Sequence, residues 1–367
     1  MRRRHEALAA VMAEHDVDHV VAYGANRTGS AVGWLTGWPV TREAVVIVTP
    51  GHRDALLVGF YNHVPNAQRI ATEADVRWIG SSPMTTALDE LRRRGAGRVG
   101  VMGPLGYRAH ARLVDAGVRL VDLEAAYTAL RLRKSAEELD WLRVGCELTD
   151  AAVSALREQA RPGMDERALG DLVERAYVAR GGTTHIHYFA ATPMAAPEVS
   201  VPAQWPSTRN LAAGDALTCE ISAAFWEYPG QALRTFAVAA EPAPLFVALH
   251  DAADAAFDAI LARLRAGATA QEVVDAAGVI KDAGFTTRDD LLHGFVGGYL
   301  PPVLGSPGRV LQPVPEFAFE AGMTVVVQPN VVSRDERAGV QTGELVLIGD
   351  DGAQSLHRLP RGLLRIS

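Results

Sequence analysis

Short apolar runs alternate with amphipathic stretches along the first third of the chain. Residues 18–23 (DHVVAY), 43–49 (EAVVIVT), 54–58 (DALLV) and 98–102 (RVGVM) are bounded by Gly, Pro or charged residues, the pattern of buried strands. Residues 3–14 and 86–94 carry the wider spacing of surface helices. Helix–strand alternation of this kind predicts a three-layer α/β domain, followed by a connection near residues 122–131. Beyond it the period changes. Ser135 followed by Glu138 is a capping box, and Leu139, Leu142, Val144, Leu148, Val153 and Leu156 give a broad apolar face to a helix over 135–159.

The second part repeats itself. Residues 161–171 and 265–275 each open a helix, with Asp165 and Thr269 placed as N-caps. About fifty residues later in each copy, 211–220 and 319–328 run from a Gly turn into a strand, with Glu220 and Gln328 each six positions after the glycine. Side chains alternate along a strand, so Thr218, Glu220 and Ser222 share one face, as do Val326 and Gln328. Two α–β halves related by a pseudo-twofold would bring Glu220 and Gln328 together at a central cleft.

Composition narrows the class. The 367 residues carry a formal charge of −7 and are 48% hydrophobic, enough chain for two domains with cores that need no disulfide. Mild acidity argues against a nucleic-acid partner or an anionic membrane surface. No run reaches the ~20 apolar residues of a membrane span, and the arginines at 2–4 lead into a stretch interrupted at Glu14, His15 and Asp16, an ordinary first helix. Two cysteines without a CxxC spacing, Cys146 and Cys219, fit a reduced cytoplasmic protein.

Five ordered segments then carry a family pattern: 211–220, 228–236 (YPGQALRTF), 293–297 (HGFVG), 321–329 (ending in Gln328 and Pro329) and 339–352. In order and spacing they resemble the methionine aminopeptidase, prolidase and creatinase superfamily, and residues 33–37 (GWLTG) resemble its creatinase-type N-domain. The resemblance implies an α/β N-terminal domain at 1–125. It also implies an α+β pita-bread C-terminal domain at 126–367 with internal pseudo-twofold symmetry, and a homodimer acting on a small-molecule substrate.

The metallopeptidases of this superfamily hold two divalent cations on two aspartates, a histidine and two glutamates. Placed on this chain, those positions are Glu220, Gln231, His293, Gln328 and Gly343, the last followed by Glu344. Only the histidine matches, and two anionic ligands have become neutral amides. Two dications would leave positive charge uncompensated in a partly buried cleft, so the expectation is a site without a metal cofactor, the alternative being one divalent ion on Glu220, His293 and Glu344. Creatinases share the fold and work without metal, but the histidine they use upstream of the Gly-Asp pair is missing from 200–211.

The catalytic candidates are therefore His293 as proton carrier, with Glu220 and Glu344 orienting water or a cationic group. Substrate-binding candidates are Gln231, Arg234, Gln328, Tyr299, and His185 with His187, which alternation puts on one face. The leading functional expectation is a metal-independent, creatinase-like hydrolase or lyase acting on a small polar C–N substrate. The alternatives are a divergent Xaa-Pro peptidase with at most one metal and a binding protein without turnover.

Overall fold

The computed structural model describes residues 1–26, 28–95, 97–305 and 313–367. Its contacts divide the chain into two units, Met1–Arg131 and Leu132–Ser367. Among the described residues no helix is long and apolar enough to cross a membrane.

The first unit is built on strands β1 (His19–Ala25), β2 (Glu43–Val48), β3 (Asp54–Val58), β4 (Ala74–Trp78), β5 (Arg98–Met102) and β6 (Arg119–Asp122), ordered β4-β3-β2-β1-β5-β6. Its helices are α1 (Arg2–Glu14), α2 (Ala31–Thr36), α3 (Val64–Ile70), α4 (Pro83–Arg94), α5 (Tyr107–Asp115) and α6 (Glu124–Leu132). Alternation explains the continuous apolar runs. Val20, Ala22, Val46 and Leu56 pack with Leu8, Met12 and Trp34, whereas Val21, Val45, Ile47 and Leu57 pack with Leu88, Leu91 and Leu113. The sheet is buried on both faces, as a three-layer unit requires.

The second unit opens with α7 (Ala136–Gln159) and α8 (Glu166–Val178), then β7 (Thr183–Pro193), β8 (Asp215–Phe225), the short β9 (Tyr228–Pro229) and β10 (Ala232–Val238). A second set follows: α9 (Pro244–Leu261), α10 (Ala270–Ala276), α11 (Val279–Asp282), β11 (Thr286–Thr287), β12 (Asp290–Phe295), β13 (Tyr299–Gly305), β14 (Thr324–Val327), β15 (Val331–Val332) and β16 (Gly343–Ile348). Strands β17 (Ala353–Ser355) and β18 (Leu364–Ile366) close the chain. Ser135 and Glu138 form the capping box of α7, Asp165 caps α8, and Thr269 with Glu272 caps α10.

The main sheet runs β13-β12-β14-β16-β10-β8-β7, and its centre, β14-β16-β10-β8, is antiparallel throughout. The repeat is visible there, with one half contributing β8 and β10 and the other β14 and β16. Helices cover one face in both halves. Leu217, Cys219 and Ile221 lie on residues of α7 and α8 such as Val153, Leu156 and Val173. Leu292, Val325, Val327 and Val346 lie on Phe246, Leu249 and Phe257 of α9. The opposite face of these central strands carries Glu220, His293 and Gln328 beside the apolar Leu233, Val326 and Leu345.

Candidate active site

Strand pairing sets a row of positions across the polar face. Glu220 on β8 is opposite Leu233 on β10, which is opposite Gly343 on β16, and Gln328 lies beside Gly343 just past the end of β14. The two residues that the repeat singles out thus share a face, with two strands between them. Gly343 explains why the last acidic position has no side chain. A Cβ there would sit 2.8 Å from Leu233 Cδ1 and 3.0 Å from Gln328 Cβ, so the row is already filled.

Around this row the polar groups gather. Glu220 accepts a hydrogen bond from Gln231 Nε2 at 2.6 Å. Gln328 Nε2 donates to Asp290 Oδ2 at 3.3 Å, and His293 Nε2 lies 4.0 Å from the same oxygen. His293 pairs with Val326, putting it on the same face as Gln328. Its ring is fully buried and stacks on Tyr299 at 3.9 Å, with Phe295 edge-on at 5.5 Å. Nδ1 faces the Gly294 carbonyl at 3.1 Å. A carbonyl only accepts, so Nδ1 carries the hydrogen and Nε2 presents a lone pair. Among the described residues, nothing satisfies His293 Nε2, Gln231 Oε1 or Gln328 Oε1, although all three side chains are buried. Buried acceptors of this kind ordinarily find a partner.

Electrostatics reinforce the picture. Burial, and then the negative charge of Asp289, push the Glu220 carboxyl up to about 7. Burial, with the hydrogen bond and negative charge of Asp289, raises Asp290 as well. Burial lowers His293 to about 4, so the ring is neutral near pH 7. Burial and then the three acids raise Tyr299. Asp289 holds a left-handed backbone, φ 82°, which costs a residue with a Cβ on the order of 1 kcal/mol.

Several expected site residues lie elsewhere. Glu344 pairs across the sheet with Ala232 and Val327, not with the polar row. It is buried against Arg234, which also donates to the carbonyls of Leu233, Gly343 and Pro360. One step along β16 reverses the face, so neither Glu344 nor Arg234 is available to the cleft. His187 faces the helices too. Its Nε2 lies 2.8 Å from Tyr177 Oη, and burial lowers it to about 4. His185 does not share that face, because β7 bulges between Thr184 and Ile186. It is exposed, with its ring edge-on to Phe295 at 6.0 Å.

The sequence reading passed over Asp290, Asp289 and Tyr188. Tyr188 is simply the β7 neighbour of Glu220. Asp290 stands three residues before His293, a spacing that strict alternation sends to opposite faces. A second irregularity, between Asp290 and Leu292, adds a residue, so Leu291 and Leu292 both enter the core and Asp290 joins His293. The signal in the sequence is an acidic pair three and four residues ahead of the histidine.

Comparison with known proteins sets this site in context. Residues 140–350 match the model of metallopeptidase family M24. The chain is 24% identical over 346 residues to the uncharacterized peptidase YqhT of Bacillus subtilis, covering 91% of this chain and 92% of that one. It is 25% identical over 239 residues to the Xaa-Pro dipeptidase of Pyrococcus furiosus, 64% and 66% of the two chains. The structure of an Xaa-Pro dipeptidase from Bacillus anthracis superposes with a TM-score of 0.82 at 19% identity, covering 100% of this chain and 99% of that one.

The family match overturns the expectation of a protein without a metal cofactor, since the family is one of metallopeptidases. The residues now at the five ligand positions nevertheless do not fit a pair of ions. Two dications bring four positive charges, and those positions supply one carboxylate, Glu220. Among the described residues, no three His, Cys, Asp or Glu side chains gather in ligating geometry.

Proposed function

The chain belongs to metallopeptidase family M24, and from that membership we propose that it is a divergent peptidase of the Xaa-Pro type, hydrolysing the amide bond of a short peptide. This replaces the creatinase-like expectation, because the relatives matched over 91% and 64% of the chain are a peptidase and an Xaa-Pro dipeptidase. The observation that carries the reading is the convergence of His293, Glu220, Gln231 and Gln328 on one face of the central strands.

The roles follow from the groups left free. Gln231 and Gln328 each use their amide N–H on a carboxylate and keep a buried carbonyl oxygen unpaired. Those oxygens accept N–H groups of the substrate's terminal ammonium, since the proline nitrogen of an Xaa-Pro bond carries none. Hydrolysis adds the oxygen of water to the scissile carbonyl carbon, breaks the C–N bond and delivers a proton to the leaving nitrogen. His293, with its Nε2 lone pair unpartnered 4.0 Å from Asp290 Oδ2, is the group placed to hold that proton. The exposed face of Tyr299 borders the entrance, and its stacking fixes the imidazole plane.

The test is hydrolysis of Xaa-Pro dipeptides and matched Xaa-Ala dipeptides by the purified full chain, with added manganese or cobalt and with chelator. Preferential release of proline is expected, and His293→Ala should lower kcat/KM by roughly 10²–10⁴-fold. Absence of product from every peptide in both conditions would sink the reading.

A further inference from the structure

A second row of positions lies beside the first on the same face. One step along the strands from Tyr188, Glu220 and Leu233 stand Ala190, Thr218 and Thr235, in register with one another. Thr235 Oγ1 accepts from the Gln341 amide at 2.7 Å and donates to the Gln341 carbonyl at 3.0 Å, which continues the row onto the chain ahead of β16. Both neighbours of Gln341 face the helices. Val340 packs in the cluster of α9, and Thr342 Oγ1 donates to Asp254 of that helix at 3.3 Å, so Gln341 takes the cleft face. Asn330 stands opposite Gln341, because the Val340 amide donates to the Val331 carbonyl and Val332 pairs with Gly339. Gln341 Oε1 and Asn330 Oδ1 find no partner among the described residues, although both side chains are only 2% exposed. Buried acceptors of this kind call for a donor.

We propose that this second row receives the part of the substrate beyond the scissile bond and selects a neutral amide there, so that the preferred substrate continues past the proline or ends in a carboxamide. The inference rests on the peptidase reading above. Gln231 lies one step to one side of Leu233 and Thr235 one step to the other, so a peptide with its ammonium at Gln231 sends its far end toward Thr235 and Gln341. The rows are roughly 7 Å apart, about two residues of extended chain, which brings the N–H that follows proline to the unpartnered oxygens. Ala190, Thr218 and Thr235 are small and leave room for it. A free carboxylate fits badly. The row holds no cation, the nearby Arg234 is held on the other face by Glu344, and Glu220 and Asp290 stand on the cleft side. Either amide can turn its N–H toward a carboxylate, but neither supplies the missing charge. One step further, the Ser200 carbonyl oxygen would lie 2.1 Å from a Cβ on Gly339 and closes the face.

The test compares Ala-Pro, Ala-Pro-NH₂ and Ala-Pro-Ala, as substrates of the full wild-type chain and, without turnover, as calorimetric ligands of His293→Ala. Both kcat/KM and affinity should be at least tenfold higher for the amide and the tripeptide than for the free acid. A preference for the tripeptide alone assigns the subsite to a following residue, and a shared one assigns it to the amide group itself. Gln341→Met keeps the size and removes the acceptor, and should cut the preference to about threefold or less. Circular dichroism verifies folding, and if Gln341→Met does not fold the wild-type comparison still decides. If no peptide is cut but the amide binds His293→Ala more tightly than the acid, the peptidase reading fails and the subsite stands. Equal or tighter binding of the free acid, no binding of any of the three at millimolar concentration, or an undiminished preference in folded Gln341→Met would each overturn the proposal.

Discussion

Glu344 and Gly343 are neighbours in sequence with opposite fates. Gly343 occupies the polar row and Glu344 the helix-covered face, where its carboxylate meets Arg234. A charge so placed is held by its partner, and removing one member leaves the other buried and unpaired. Glu344→Gln is therefore expected to cost about 3–5 kcal/mol of stability, read as a lower midpoint in urea denaturation. A loss below about 1 kcal/mol would contradict the assignment of Glu344 to the fold. His293 is the counterpart on the other face: its Nε2 makes no hydrogen bond among the described residues, so its replacement is felt in turnover.

At the scale of elements, the site depends on where regular geometry is broken. Two strand irregularities, at 184–186 and 290–292, decide which side chains see the cleft. A third feature positions Gln231. Helix α7 crosses the turn between β9 and β10 with no room for side chains. A Cβ on Gly145 would lie 2.3 Å from the Tyr228 carbonyl oxygen, and one on Gly230 would lie 2.5 Å from Cys146 Cα. Both obstacles are backbone, so a methyl group at either place moves the turn. Gly145→Ala should cost about 1–3 kcal/mol and, by shifting Gln231, reduce kcat/KM further than the loss of folded protein explains. Activity normalised to folded fraction separates the two effects.

For the molecule as a whole, each unit has its own hydrophobic clusters, and each responds to conditions through different charges. In the first unit Glu90 is buried. Burial opposes its ionisation, but hydrogen bonds from Arg93, Arg77 and Arg94 outweigh that and hold the carboxyl at about 2. A carboxyl held below its ordinary value of 4.5 stabilises the fold above pH ~4.5, and that contribution fades as pH falls toward 2. The stability gap between the wild type and Glu90→Gln should therefore be full at pH 6 and shrink through this window. Urea titrations at stepped pH would show it, and a gap independent of pH would refute it.

The fold was legible in the sequence because its signals are local and redundant. Apolar period, capping residues such as Ser135 and Thr269, and the repeated Gly-to-strand segments each report the same architecture. The repeat puts Glu220 and Gln328 at equivalent places in its two halves, whereas Gln231 and His293 rest on the superfamily resemblance. The partners of those residues were not legible. Alternation is a rule of the unbroken strand, and one inserted residue reverses it. That is why spacing alone hides Asp290 and puts His185 and His187 on the same side. It holds equally for Glu344, one residue past the polar row. By itself the sequence determined the fold and the chemistry of the polar residues in the cleft. Only the tertiary structure decided which carboxylates face it, because face and register are set by strand pairing between segments that are distant in the chain.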